Sequence, residues 1–140
     1  MTTTQTALEP GDAVPNFVLS DVRGEASGPV IDSRGKPLTL VFCTAEFERN
    51  LAPFATEAAR LRSVTDLSIV TPLSIERNRE LAQRLDLPWG VLADSAGDVT
   101  AHFTFQGGGA PRPALTTIIL DSGLRVLATE RDGMPERHVD

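Results

Sequence analysis

From Pro37 to Cys43 the chain runs almost without polar residues, Thr39 being the exception, and this run constrains the fold more than any other feature. A continuous apolar strand of this length marks a sheet that is covered on both faces. The residues after it supply a cover. From Asn50 the apolar positions take a helical period: Leu51, Phe54, Ala58 and Leu61 share one face, opposite Glu57, Arg60 and Arg62. Pro53 would break this helix in its middle, whereas in a first turn its missing N–H has no carbonyl partner to lose. The sequence therefore predicts a helix that starts close to Asn50 and is capped by that side chain.

The same reading carries along the chain. Leu67 to Leu73 is a second apolar strand, interrupted at Pro72. Ser74 is placed to cap a helix with Glu76 in its first turn and Arg84 in its last, both signs agreeing with the helix dipole. Ile75, Ala82 and Leu85, with Leu81 beside them, form its predicted buried stripe. Trp89 to Ala93 is a third strand, followed by a turn at Asp94 to Gly97 and a short helix through Val99 and Phe103. Ala114 to Leu120 and Leu124 to Thr129 are strands joined by the tight turn Asp121-Ser122-Gly123, so they pair antiparallel. Upstream, Asn16 to Ser20 suits a short strand, Gly24 to Gly28 a loop and Pro29 to Asp32 a small β element. Alternating strands and helices with a final hairpin predict one α/β domain with a mixed sheet flanked by helices. Its 140 residues are enough for one core. The domain is expected over residues 11–140, after a flexible arm at 1–10.

Composition excludes several classes. With 41% apolar and 23% charged residues the chain is globular rather than disordered. A net charge of −6 without any basic run repels a phosphate backbone, so nucleic acid is not an expected partner. No stretch approaches the roughly 20 apolar residues of a membrane span, and residues 1–8 lack the basic start and apolar run of a signal peptide. A cytoplasmic location without membrane attachment is expected. Cys43 is the only cysteine, which excludes an internal disulfide, a Cys-x-x-Cys pair and a multi-cysteine zinc site. His102 and His138 lack ligand spacing, so neither a metal nor another cofactor is expected. Gly107-Gly108-Gly109 is not set between a strand and a helix N-terminus, as a phosphate cradle requires, and reads as a flexible turn.

Four local motifs, at Gly11 to Leu19, Gly35 to Phe42, Asp94 to Val99 and Thr117 to Gly123, together resemble those of the peroxiredoxins, the alkyl hydroperoxide reductase and thiol-specific antioxidant proteins. Gly11-Asp12-Ala13-Val14-Pro15-Asn16-Phe17-Val18-Leu19 is similar to the family's opening Gly-Asp-x-x-Pro-x-Phe-x-Leu. Gly35-Lys36-Pro37-Leu38 through Phe42 resembles the strand before its active site. Asp94-Ser95-Ala96-Gly97-Asp98-Val99 is similar to its Asp-x-x-Gly-x-Val turn, and Thr117 to Gly123 to its late hairpin. The resemblance spans Gly11 to about Leu127 and implies a thioredoxin-like fold with a peroxiredoxin-type N-terminal extension. Pro135 to Asp140 resembles the start of the family's C-terminal helix, which implies that this helix is incomplete here.

The departures fall where the chemistry would be. The family places Pro-x-x-x-Thr-x-x-Cys after its strand, with the thiol in the first turn of a helix that lowers its pKa. Here Thr44 stands for the Pro, Glu48 for the Thr and Leu51 for the Cys. Registration on the thioredoxin Cys-x-x-Cys pattern puts Phe47 at the first cysteine instead. The family's late Arg, or the thioredoxin cis-Pro, falls near Leu115, with Arg112 and Pro113 close by. The ending Leu124-Arg125-Val126-Leu127 resembles a degenerate form of this domain found attached to iron and 2-oxoglutarate dioxygenase domains, a likeness that implies a fused or associated enzyme domain as a partner.

Cys43, at the end of the central strand, is read in two ways: as a core residue, and as the catalytic thiol of a one-cysteine peroxidase. Glu46, Glu48 and Arg49 crowd the approach to the helix, where carboxylates favour the dipole. Arg112 is placed to bind an anion over the sheet edge. The sequence thus predicts a peroxiredoxin-like binding or assembly module with a pocket bordered by Phe47, Glu48, Arg49 and Arg112. The alternatives are a thiol oxidoreductase using Cys43 and a repurposed enzyme acting on a small molecule without a thiol. A homodimer is expected through an edge strand or a helical face.

Overall fold

The computed structural model describes residues 9–14, 16–29, 33, 36–104 and 114–131. In chain order its elements are β1 (Leu19–Ser20), β2 (Ala26–Ser27), β3 (Leu38–Cys43), α1 (Phe47–Thr56), α2 (Ala58–Arg62), β4 (Asp66–Thr71), α3 (Ile75–Leu85), β5 (Gly90–Ala93), α4 (Asp98–Thr104), β6 (Leu115–Leu120) and β7 (Val126–Arg131). The strands form one mixed sheet in the order β2-β1-β5-β4-β3-β6-β7. β3, β4 and β5 run parallel, while β6 is antiparallel to β3, β7 to β6, and β1 to both β5 and β2. All six residues of β3 are buried, as its apolar run requires.

The pleat of β3 divides the core in two. Val41 and Cys43 face α1, α2 and α3, whose Leu51, Phe54, Leu61 and Leu81 fill that side. Leu38, Leu40 and Phe42 face the other side, which is closed by Phe103 of α4 and by Phe17. Phe103 stacks on Phe42 with ring centroids 5.0 Å apart and meets Phe17 edge-on at 5.3 Å. The parallel crossovers from β3 to β4 and from β4 to β5 step the same way along the sheet. With one handedness they must lay their helices on the same face.

Several expectations are corrected. The helix after β3 begins at Phe47, not near Asn50, and its N-cap residue is Glu46. Asn50 lies inside it, its N–H bonded to the Glu46 carbonyl at 2.9 Å and its side chain turned back to the Ala45 carbonyl at 2.8 Å. Pro53 is therefore interior, where it removes the donor for the Arg49 carbonyl, and the helix is interrupted at Glu57 before α2 resumes. Ser74 does cap α3, accepting the Arg77 N–H at 3.2 Å. The buried side of α3 is nevertheless Asn78 and Leu81, while Ile75, Ala82 and Leu85 are half-buried. Asn78 is fully buried and accepts the Thr71 hydroxyl, which ties α3 to the end of β4.

Before β3, the loop predicted at Gly24 to Gly28 contains β2, and Pro29 is helical rather than extended. Residues 30–32 lie outside the described residues, as do 1–8, 105–113 and 132–140. The predicted arm is thus seen only at Glu9 and Pro10. Gly28 is required by close approach: a β-carbon there would sit 1.9 Å from the Phe17 carbonyl oxygen. No helix among the described residues is long and apolar enough to cross a membrane.

Candidate functional site

β3 delivers Cys43 to the end of the sheet at which the chain turns into α1. The Thr44 N–H bonds to the Ala114 carbonyl at 2.9 Å, and within three residues the chain reverses through Glu46, whose φ is 48°. A left-handed backbone is costly for a side chain of this size, and such strain gathers at functional sites. Glu46 supplies no side-chain cap to α1. Its carboxylate instead pairs with Arg49, Oε1 to Nη1, at 3.1 Å.

Cys43 is turned inward. Its side chain is 0% exposed and lies among Val41, Leu51, Phe54 and Leu115. The thiol donates to the Ala45 carbonyl at 3.5 Å, the same oxygen that accepts from Asn50. Burial pushes its pKa from 9.0 up to about 12, and the hydrogen bonds at Ala45 and Asn50 offset only part of that.

The open space lies between two helices. A cleft of about 440 Å³ separates the start of α1 from α3. Glu46, Phe47, Glu48 and Arg49 line one wall; Leu73, Arg77, Glu80, Leu81 and Arg84 line the other. The walls are tied by Arg84 and Glu48, Nη2 to Oε1 at 2.8 Å. Phe47 and Leu73 are half-buried and Leu81 is 2% exposed, which gives the cleft an apolar floor beneath charged rims.

Of the residues singled out in the sequence, Phe47, Glu48 and Arg49 come together on this cleft, Cys43 does not line it, and Arg112 lies outside the described residues. Sequence reading missed the whole α3 wall. Its signal was present: Arg77, Glu80, Leu81 and Arg84 recur at helical spacing on one side of α3, but which helix they faced was not legible. The two registrations also separate. Leu51 is the fifth residue of α1 and 0% exposed in the core, whereas Phe47 is its first residue and touches the cleft.

A second cavity of about 500 Å³ opens at the opposite end of the parallel strands, where Leu38, Asp66 and Gly90 begin them, with Trp89 and Lys36 among its lining. The described residues contain no group of three or more His, Cys, Asp or Glu side chains able to hold a metal ion.

No protein-family model matches the chain, and no curated protein matches it in sequence. Solved structures do. The chain is similar to the peroxidoxin BcpB from Mycobacterium tuberculosis, with 20% identity and a TM-score of 0.76 over 89% of this chain and 86% of that one. It is similar to the thiol peroxidase from Chromobacterium violaceum, with 18% identity and a TM-score of 0.70 over 89% and 77%. A putative thiol:disulfide interchange protein DsbE from Chlorobium tepidum gives 18% and 0.71 over 94% and 91%. The mixed seven-stranded sheet, the helices on its faces and these likenesses together show that the chain has the thioredoxin fold, in the form shared by peroxiredoxins and thiol-disulfide oxidoreductases.

Proposed function

We propose that the chain is a thioredoxin-fold binding module without thiol peroxidase chemistry, and that it takes its ligand in the cleft between α1 and α3. One observation carries this reading: thiol and cleft are separate. A peroxide-attacking cysteine must be ionised and reachable. Cys43 is sealed in the core with its pKa at about 12, while the start of α1 opens onto a cleft without a sulfur. At neutral pH that pKa leaves roughly one thiol in a hundred thousand ionised.

Peroxide consumption decides between this and a one-cysteine peroxidase. Native protein is expected to reduce hydrogen peroxide no faster than an ordinary free thiol, with Cys43→Ser indistinguishable from wild type. Stoichiometric sulfenic acid formed within seconds, and lost in Cys43→Ser, would overturn the proposal.

The proposal extends to assembly. Among the described residues β7 is the outer strand on its side of the sheet, and the described upstream segment meets its beginning, through the Ala13–Arg125 bridge and the Gly11 N–H on the Val126 carbonyl. Leu127 is 56% exposed beyond that cover. A symmetric homodimer that pairs this edge is expected to bury on the order of 1,000 Å² or more. Light scattering at micromolar concentration should give twice the 15.0 kDa mass. A monomer at every concentration would rule the dimer out and leave a separate enzyme domain as the associated partner.

A further inference from the structure

We infer that the cleft between α1 and α3 takes a zwitterionic α-amino acid with an apolar side chain, an inference that rests on that cleft being the binding site proposed above. Its rims carry three arginines and three glutamates. Two pairs are closed, Arg49 with Glu46 at 3.1 Å and Arg84 with Glu48 at 2.8 Å. The third is not: Arg77 and Glu80, one turn apart on α3, form no ion pair with each other or with any other described residue. Their order accounts for this, because a basic residue ahead of an acidic one along a helix is the less favourable arrangement. The cleft is therefore left with one open guanidinium and one open carboxylate a single turn apart.

Those two groups select by charge. A simple anion attracted to Arg77 meets Glu80, and a simple cation attracted to Glu80 meets Arg77. A molecule with both charges on neighbouring atoms satisfies both, its carboxylate on the forked donors of Arg77 and its ammonium on Glu80. An α-amino acid carries them on one carbon and leaves its side chain free for the floor of Phe47, Leu73 and Leu81, where burial of apolar surface adds to affinity. The volume of about 440 Å³ lies within the range of small-molecule sites.

Isothermal titration of the full chain with L-phenylalanine, 3-phenylpropionate and phenethylamine tests this directly. L-Phenylalanine is expected to bind saturably, and each half-charged analogue roughly tenfold more weakly or worse, since each lacks one charge-assisted contact. Arg77→Ala and Glu80→Gln should each weaken L-phenylalanine by a similar factor while melting as wild type does, both side chains being exposed. An analogue that binds as well as the amino acid, variants that bind as wild type does, or no saturable heat at millimolar L-phenylalanine would each overturn the inference. Silent titrations without peroxide turnover overturn this inference alone, whereas turnover lost in Cys43→Ser overturns the proposed function.

Discussion

Phe47→Cys in a Cys43→Ala background is expected to carry a fast-reacting thiol, and Leu51→Cys in the same background a silent one. Position 47 is the first residue of α1 and lines the cleft, so a sulfur there would meet the positive end of the helix and the open guanidinium of Arg77, the other two arginines of the cleft being paired with Glu46 and Glu48. Both lower a thiol pKa. A fall from about 8.5 to about 7 raises the thiolate fraction at neutral pH by more than tenfold over a free cysteine. Leu51 lies in the second turn and is fully buried among Cys43, Phe54 and Leu61, so a cysteine there would be desolvated as Cys43 is. Removing part of the leucine should also cost about 1–3 kcal/mol of stability. Labelling by a maleimide, followed by mass spectrometry on the native proteins, reads both rates. Equal rates would mean that α1 does not begin where Glu46 places it.

Alkali should separate wild type from Cys43→Ala with the opposite sign from the usual carboxylate case. The unfolded thiol ionises near 9.0 and the folded one near about 12. Below 9.0 both states hold the proton and the thiol gives stability no pH dependence. Between the two values the unfolded chain has lost a proton that the folded chain keeps, so stability falls as pH rises, by about 1.4 kcal/mol per unit at most. Across the window the loss is on the order of 4 kcal/mol, a large part of what holds a domain of this size together. Cys43→Ala has nothing to ionise there. Urea midpoints for the two proteins should therefore run parallel from pH 7 to 9 and depart from parallel above it, wild type losing about 2 kcal/mol relative to Cys43→Ala by pH 10.5. Parallel curves throughout would show a thiol in contact with water.

What could be read in advance followed the reach of each signal. β3 announced itself by an unbroken apolar run, and α3 by a serine at its start and charges matched to its ends, because those patterns are written in consecutive residues. The start of α1 was misplaced because Pro53 is a strong local rule. The packing of Leu51, Phe54 and Leu61 on the sheet keeps the proline inside the helix regardless. Asn78 escaped for a related reason: a stripe is sought among apolar residues, and here the buried position is polar, its amide oxygen accepting from the Thr71 hydroxyl. At the site, Phe47, Glu48 and Arg49 were found because they follow β3 directly, whereas Arg77, Glu80 and Arg84 reach the same cleft only through a crossover and another strand.

The position of β3 also sets a clock for synthesis. It lies inside the sheet, between β4, which follows soon after it, and β6, which is encoded near the far end of the described chain. A nascent chain can pair β3 with β4 early, but its other edge, from Leu38 to Cys43, stays open until Leu115 to Leu120 has left the ribosome. The fully buried strand thus waits for its second partner until nearly all of the described chain has been made, and closing so long a loop is the kind of step that slows folding.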